Sequence, residues 1–150
     1  MLRAVLDANV LISAAIRPSG PPGRIVTALL SRRAFELVLS AAIAEEARRA
    51  LVQPRVRKYL RDPKDAPLWL ADIVALADLV EDTGRAAGAC RDQADDKILS
   101  AAAEGRADVV VTGDQDLLAL QDYEGISIVT PRAFLDLLGD PLKDGSPVNS

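Results

Sequence analysis

Apolar positions along the chain follow two rhythms. Compact runs at 2–6, 35–39, 108–111 and 126–129 have the length and Val/Leu/Ile content of buried strands, and 79–81 reads as a shorter one. Between them, apolar residues recur at helical spacing. Asn9 to Ala15 reads as a short helix ending before Arg17-Pro18-Ser19-Gly20. Pro21 and Pro22 open a second, running to Ser31. Ser40 is a good N-cap for a third, running to Gln53 and stopped by Pro54. A short helical piece at 55–61 is broken by Asp62-Pro63, and 66–78 forms the next helix. Small residues from Gly84 to Ala89 make a connection to a helix at 94–104. Asp114 can cap a short helix holding Leu117, Leu118 and Leu120, and Thr130-Pro131 opens a last helix to Leu138. Strands alternating with helices predict an α/β domain, a three-layer α/β/α sandwich with a mostly parallel central sheet. The expected domain covers 1–138, with 139–150, rich in Gly, Pro, Asp and Ser, as a flexible tail.

Composition removes several chemistries. The chain has no His, which excludes histidine metal ligands, histidine general bases and Ser-His-Asp triads. The single Cys90 allows no internal disulfide and fits a reducing compartment. No apolar run has the length of a membrane span, and the N-terminus lacks a signal peptide's pattern, so a cytoplasmic protein is expected. The net charge of −4 is unevenly spread. Positions 17–64 hold eleven Lys/Arg against four Asp/Glu, whereas positions 65–150 hold six against seventeen. A basic segment beside an acidic one suits a polyanionic substrate handled by a carboxylate centre, although charge runs taken alone are more often solvated helix faces with no partner.

The carboxylates carry the candidate chemistry. Asp7 ends the first strand and Asp114 follows the strand Val109-Val110-Val111, so both stand at the carboxyl edge of a parallel sheet, where ligands bind. Each is also a plausible helix cap. Asn9 can cap the first helix in Asp7's place and leave Asp7 to the site. On the third helix, Ile43, Ala47 and Leu51 mark the buried face. Glu45 lies nearly opposite, four residues before Arg49, while Glu46 lies on the flank and is preferred. On the helix at 94–104, Asp95 falls on the apolar stripe with Ile98, Leu99 and Ala102, and Asp96 points to its side. Asp92 is a candidate N-cap or part of the pocket's edge. Four convergent acids without His repel one another, and a divalent cation resolves the repulsion. Hard oxygen ligands suit Mg²⁺ or Mn²⁺, the usual arrangement in nucleases that lack histidine.

Taken in order, the phrases Leu6-Asp7-Ala8-Asn9-Val10-Leu11-Ile12-Ser13, Leu39-Ser40 through Glu45-Glu46, Arg91-Asp92-Gln93-Ala94-Asp95-Asp96-Lys97-Ile98-Leu99 and Val111-Thr112-Gly113-Asp114-Gln115-Asp116-Leu117-Leu118 span about residues 1–138. This pattern resembles the PIN-domain nucleases, and looks closest to the bacterial group described as toxins of toxin–antitoxin systems. The resemblance implies Mg²⁺- or Mn²⁺-dependent endoribonuclease activity on RNA, an antitoxin protein as partner, and a homodimer. It places the family's acids on Asp7, Glu46, Asp95 and Asp114, and its polar companions on Asn9, Ser13 and Thr112. Asp116 joins these as a supporting group. For the third acid, the helix face and the Arg-Asp-x-x-Asp pattern select Asp95, whereas an ungapped match on Thr112-Gly113-Asp114 selects Asp96, so both stand as candidate metal ligands. Gln93 departs from the Pro common in this group.

The expected mechanism has Asp7, Asp95 and Asp114 holding one or two ions, Glu46 as ligand or orienter of the attacking water, and Arg24, Arg48, Arg55 and Lys58 holding the RNA backbone. Two rivals remain. An aspartyl-phosphate phosphotransferase would use Asp7 as nucleophile, but the second acid it wants two residues on is Asn9. A catalytically inactive RNA- or antitoxin-binding module would keep the fold without needing the acids.

Overall fold

A computed structural model describes residues 1–90 and 93–139 of the chain. Asp92 and the tail from 140 onward, both assigned roles above, lie outside the described residues. The elements follow in the order β1 (Arg3–Leu6), α1 (Ala8–Ile16), α2 (Pro21–Arg32), β2 (Glu36–Ser40), α3 (Ala41–Leu51), α4 (Pro54–Arg57), α5 (Ala66–Leu76), β3 (Asp78–Val80), α6 (Gln93–Glu104), β4 (Val109–Val111), α7 (Gln115–Leu120), β5 (Asp122–Tyr123), β6 (Ile126–Val129) and α8 (Pro131–Leu138). The sheet order is β3-β2-β1-β4-β6-β5, all parallel except β5 against β6. This is the expected three-layer α/β/α arrangement with a mostly parallel sheet. The chain builds outward from β1 through β2 to β3, then starts again at β4 on β1's other side. The switch point therefore falls between the carboxyl ends of β1 and β4, where such sheets bind ligands.

β1, β2 and β4 form the centre of the core. Ala4, Val5 and Leu6 are fully buried, as are Val110 and Val111, the pattern of strands covered on both faces. Aromatics are scarce, but Phe35 and Phe134 are both buried and meet edge to face, with ring centroids 5.0 Å apart. Among the described residues no helix is long and apolar enough to cross a membrane.

The sequence reading misplaces several boundaries. α1 begins at Ala8, because the Val10 and Leu11 amides already bond to the Asp7 carbonyl. Asp7, rather than Asn9, is thus the N-cap, its side chain accepting from the Asn9 amide. α5 ends at Leu76, where pairing of Asp78 with Val38 draws the chain into β3. The helical piece expected at 55–61 closes a single helix over Pro54–Arg57, followed by turns. β5 was not foreseen, since two residues carry no periodicity. It forms because Glu124 and Gly125, at φ of 50° and 83°, make the tight reversal that returns the chain to β6.

Candidate metal centre

The backbone delivers the acids to one place. The Asp7 amide bonds to the Val111 carbonyl and the Thr112 amide to the Val129 carbonyl, which extends the β-ladders to the strand ends. Thr112, fully buried, links the two ends through its hydroxyl. Its Oγ1 donates to Asp7 Oδ2 at 2.8 Å and accepts from the Asp114 amide at 3.0 Å. Asp7 Oδ1 accepts from the Asn9 amide at 3.2 Å, and Asp114 Oδ1 caps α7 by accepting from the Asp116 and Leu117 amides at 2.8 and 3.2 Å. Capping and site placement are compatible, because a carboxylate at a helix N-terminus is stabilised by the dipole and the exposed amides.

Asp7, Asn9, Glu45, Glu46, Asp95 and Asp114 line one cavity of about 610 Å³, with the cations Arg49, Arg55 and Lys97 also in its wall. Asp7 and Asp95 are buried, at 6% exposure each, while the three cations are exposed. Asp95, Asp114 and Asp116 each offer a carboxylate oxygen, all within 4.8 Å of one another. Such a set of hard oxygen donors fits a hydrated Mg²⁺ or Mn²⁺, which keeps several waters and takes few protein ligands. Asp116, read from the sequence as a supporting group, therefore belongs to the convergent set itself.

Helix phase separates the paired acids. Asp95 faces the cavity. Asp96, its neighbour, turns to residues 84–90 and accepts from the Gly88 and Cys90 amides at 2.9 and 2.7 Å. Those amides, Gly88's first, hold the Asp96 carboxyl below its usual range. On α3 both Glu45 and Glu46 reach the cavity wall, so the expectation that Glu45 points away does not hold. The cavity lies along the flank carrying Ala42, Arg49 and Gln53, and Glu45, three residues after Ala42 and four before Arg49, falls on it. Glu45 is engaged by Arg48 at 2.8 Å and Arg49 at 3.2 Å, and Arg48's guanidinium above all brings its pKa down to about 2.

The expected polar and basic groups divide similarly. Asn9 lines the cavity, whereas Ser13, one turn further along α1, is exposed outside it. Arg55 lines the cavity and donates to Gln53 Oε1 at 3.0 Å. Arg48 pairs with Glu45, Lys58 sits 5.1 Å over the Tyr59 ring, and Arg24 is on α2, none of the three in the cavity wall. Arg49 and Lys97 were missed. The sequence marks Arg49 only as the exposed partner of Glu45, and Lys97, two residues after Asp95, does not share its helix face, so neither carries a spacing signal toward the site.

Cys90 adjoins the site without joining it. Burial, and then its hydrogen bond to the Asp96 carboxylate, pushes its thiol up to about 12. The folded protein should therefore react with iodoacetamide at pH 8 at least about 100-fold more slowly than the urea-unfolded chain. Raising the pH above 9 should bring the unfolded sample to a plateau while the folded one, still far below its pKa, keeps gaining about tenfold per pH unit.

Comparison with known proteins agrees with this fold. An uncharacterised protein, MJ1680, of Methanocaldococcus jannaschii is 28% identical over 143 residues, covering 90% of each chain. The crystal structure of PAE2754 from Pyrobaculum aerophilum is similar in fold, with a TM-score of 0.63 at 20% identity over 92% of this chain and 90% of that one. VapBC2 from Rickettsia felis, solved bound to a DNA fragment from their promoter, gives a TM-score of 0.57 at 11% identity over 86% of this chain and 98% of that one. The sequence profile of the PIN domain matches residues 3–116, a span that runs from β1 to Asp116 and contains every acid of the cavity. The chain belongs to the PIN domain family.

Proposed function

We propose that the protein is a divalent-metal-dependent endoribonuclease, acting as the toxin of a toxin–antitoxin pair. The observation that carries the reading is the meeting of Asp95, Asp114 and Asp116 within 4.8 Å, beside buried Asp7, at the sheet's switch point. Asp95 and Asp114, with Asp7 and Asp116 beside them, would hold Mg²⁺ or Mn²⁺. When bound, the ion supplies Lewis acidity toward the phosphodiester and the attacking water. The chain's own groups do the rest. Glu46, across the cavity on α3, orients the attacking water for in-line approach. Thr112 and the Asn9 amide fix both oxygens of Asp7, so that its orientation is set before substrate arrives. Arg49, Arg55 and Lys97 offset the negative charge of the RNA backbone along the cavity's exposed wall.

An aspartyl-phosphate enzyme fits less well, because the position two residues after Asp7, where that chemistry wants a second acid, is Asn9. The toxin assignment draws support from the sequence resemblance and from the fold likeness to VapBC2.

The test is cleavage of a labelled single-stranded RNA with Mn²⁺, with EDTA, and by Asp7→Asn and Asp114→Asn. Cleavage should require the metal and fall at least about 100-fold in each variant, because even groups that merely orient ligands are worth 10–100-fold. Equal rates in all samples would remove the carboxylate centre. Co-purification with the product of a neighbouring small gene tests the antitoxin.

A further inference from the structure

α6 presents two working faces. One carries Asp95 into the acid cavity. The other carries Asp96, Ser100 and Glu104, an i, i+4, i+8 stripe, and every member of it binds the preceding segment. Thr83 Oγ1 donates to Glu104 Oε1 at 3.1 Å, and the Arg85 guanidinium lies 3.8 Å from the same oxygen. The Ala86 amide donates to Ser100 Oγ at 2.9 Å. The Gly88 and Cys90 amides donate to the two oxygens of Asp96. Residues 83–90 thus run back along the helix from its end toward its first turn, with Gly84 and Gly88 both at positive φ. Ala86 is buried at 2% exposure, as are Ser100 and Asp96 at 1% and 7%.

We infer that this strap, fastened through Asp96 and Ser100, sets the rotation and order of α6's first turn and so positions Asp95 in the metal centre. The inference rests on the proposed function. Asp96 is then a positioning residue and not a ligand. The physical need is clear. The first turn of a helix has amides without intrahelical partners and is the part most prone to fray. Asp95 sits in that turn, and Mg²⁺ tolerates little error in the placement of its oxygen ligands. A functional carboxylate must be held to about 0.5 Å by its surroundings. The strap's bonds to Asp96, adjacent in sequence and turned about 100° around the helix, supply that hold without touching the cavity.

The experiment measures Mn²⁺ affinity by calorimetry, steady-state RNA cleavage, and amide hydrogen exchange at Ala86, Gly88 and Cys90. The variants are Asp96→Asn, Asp96→Ala, Ser100→Ala and, alongside, Asp95→Asn. Asp96→Ala should weaken Mn²⁺ binding about 10–100-fold, as loss of a ligand-orienting partner does. Asp96→Asn, which keeps one acceptor oxygen, should fall between it and wild type. Ser100→Ala, remote from the acids, should follow in the same direction with kcat lowered and KM unchanged. Amide protection should fall in the same order. If Ser100→Ala frees the Ala86 amide while Mn²⁺ affinity and kcat stay at wild-type values, the strap is merely structural and the inference fails. It fails equally if Asp96→Ala loses Mn²⁺ with the Gly88 and Cys90 amides still protected, since Asp96 would then be a ligand. Loss of binding in Asp95→Asn with none in the strap variants overturns the inference alone. No loss in any variant overturns the proposed function beneath it as well.

Discussion

Replacing Asp95 by Asn should slow Mn²⁺-dependent RNA cleavage by more than about 100-fold, beyond the 10–100-fold that orienting groups are worth. The substitution keeps size and hydrogen-bonding capacity but removes the charge. Asp95 is buried within reach of Asp114 and Asp116, so in metal-free protein its charge repels theirs. The variant should therefore melt at or above the wild-type temperature without metal, as expected where function and stability conflict. RNA affinity at fixed salt, read by fluorescence anisotropy, should hold or tighten, because Arg49, Arg55 and Lys97 remain and a negative charge has gone. Slow cleavage with intact binding and raised melting temperature would separate a chemical defect from misfolding. Wild-type cleavage by this variant would remove Asp95 from the centre.

The largest stability loss should come from Gly23→Ala, far in role from the acids. Gly23 lies in the first turn of α2, where the chain packs against the Pro18 backbone. A Cβ there would sit 2.1 Å from the Pro18 carbonyl oxygen and 2.4 Å from its carbon. Neither is the end of a flexible side chain, so α2 or the 17–20 turn must shift. We expect a loss of about 3 kcal/mol, the upper end for overpacking. For a domain of this size that lowers the melting temperature by roughly 6–12 °C. Gly113→Ala is the control, as its added Cβ meets nothing within 4 Å. A melting temperature unchanged by Gly23→Ala would show that the close approach is relaxed at no cost.

Most of the fold is legible because its elements announce themselves locally. Val109–Val111 reads as a doubly buried strand, and Ser40 and Thr130 cap the helices they precede, each accepting from an amide three residues on. β5 is not legible, because an edge hairpin of two residues is held by a turn and by β6 rather than by its own pattern. At the site, the residue types and strand-end positions of Asp7 and Asp114 are visible, as is the preference for Asp95 from its place on the apolar stripe. Helix phase also favours Glu46 over Glu45, yet both reach the cavity, since the groove follows a flank that the third helix's own periodicity does not reveal.

The sequence by itself determined the α/β order, the two strand-end acids, and the carboxylate character of the candidate centre, since a chain without histidine leaves oxygen donors for such chemistry. Each follows from local pattern or residue type. Only the tertiary structure decided that β1 and β4 are neighbours at the switch point and that Thr112 ties their ends together. It also decided that Asp116 joins the convergent acids while Asp96 fastens the strap, and that Arg49 and Lys97, not Arg48 and Lys58, face the cavity. Those outcomes depend on which helix flanks and strand ends come together across some hundred residues. No local spacing encodes that meeting, because packing sets it.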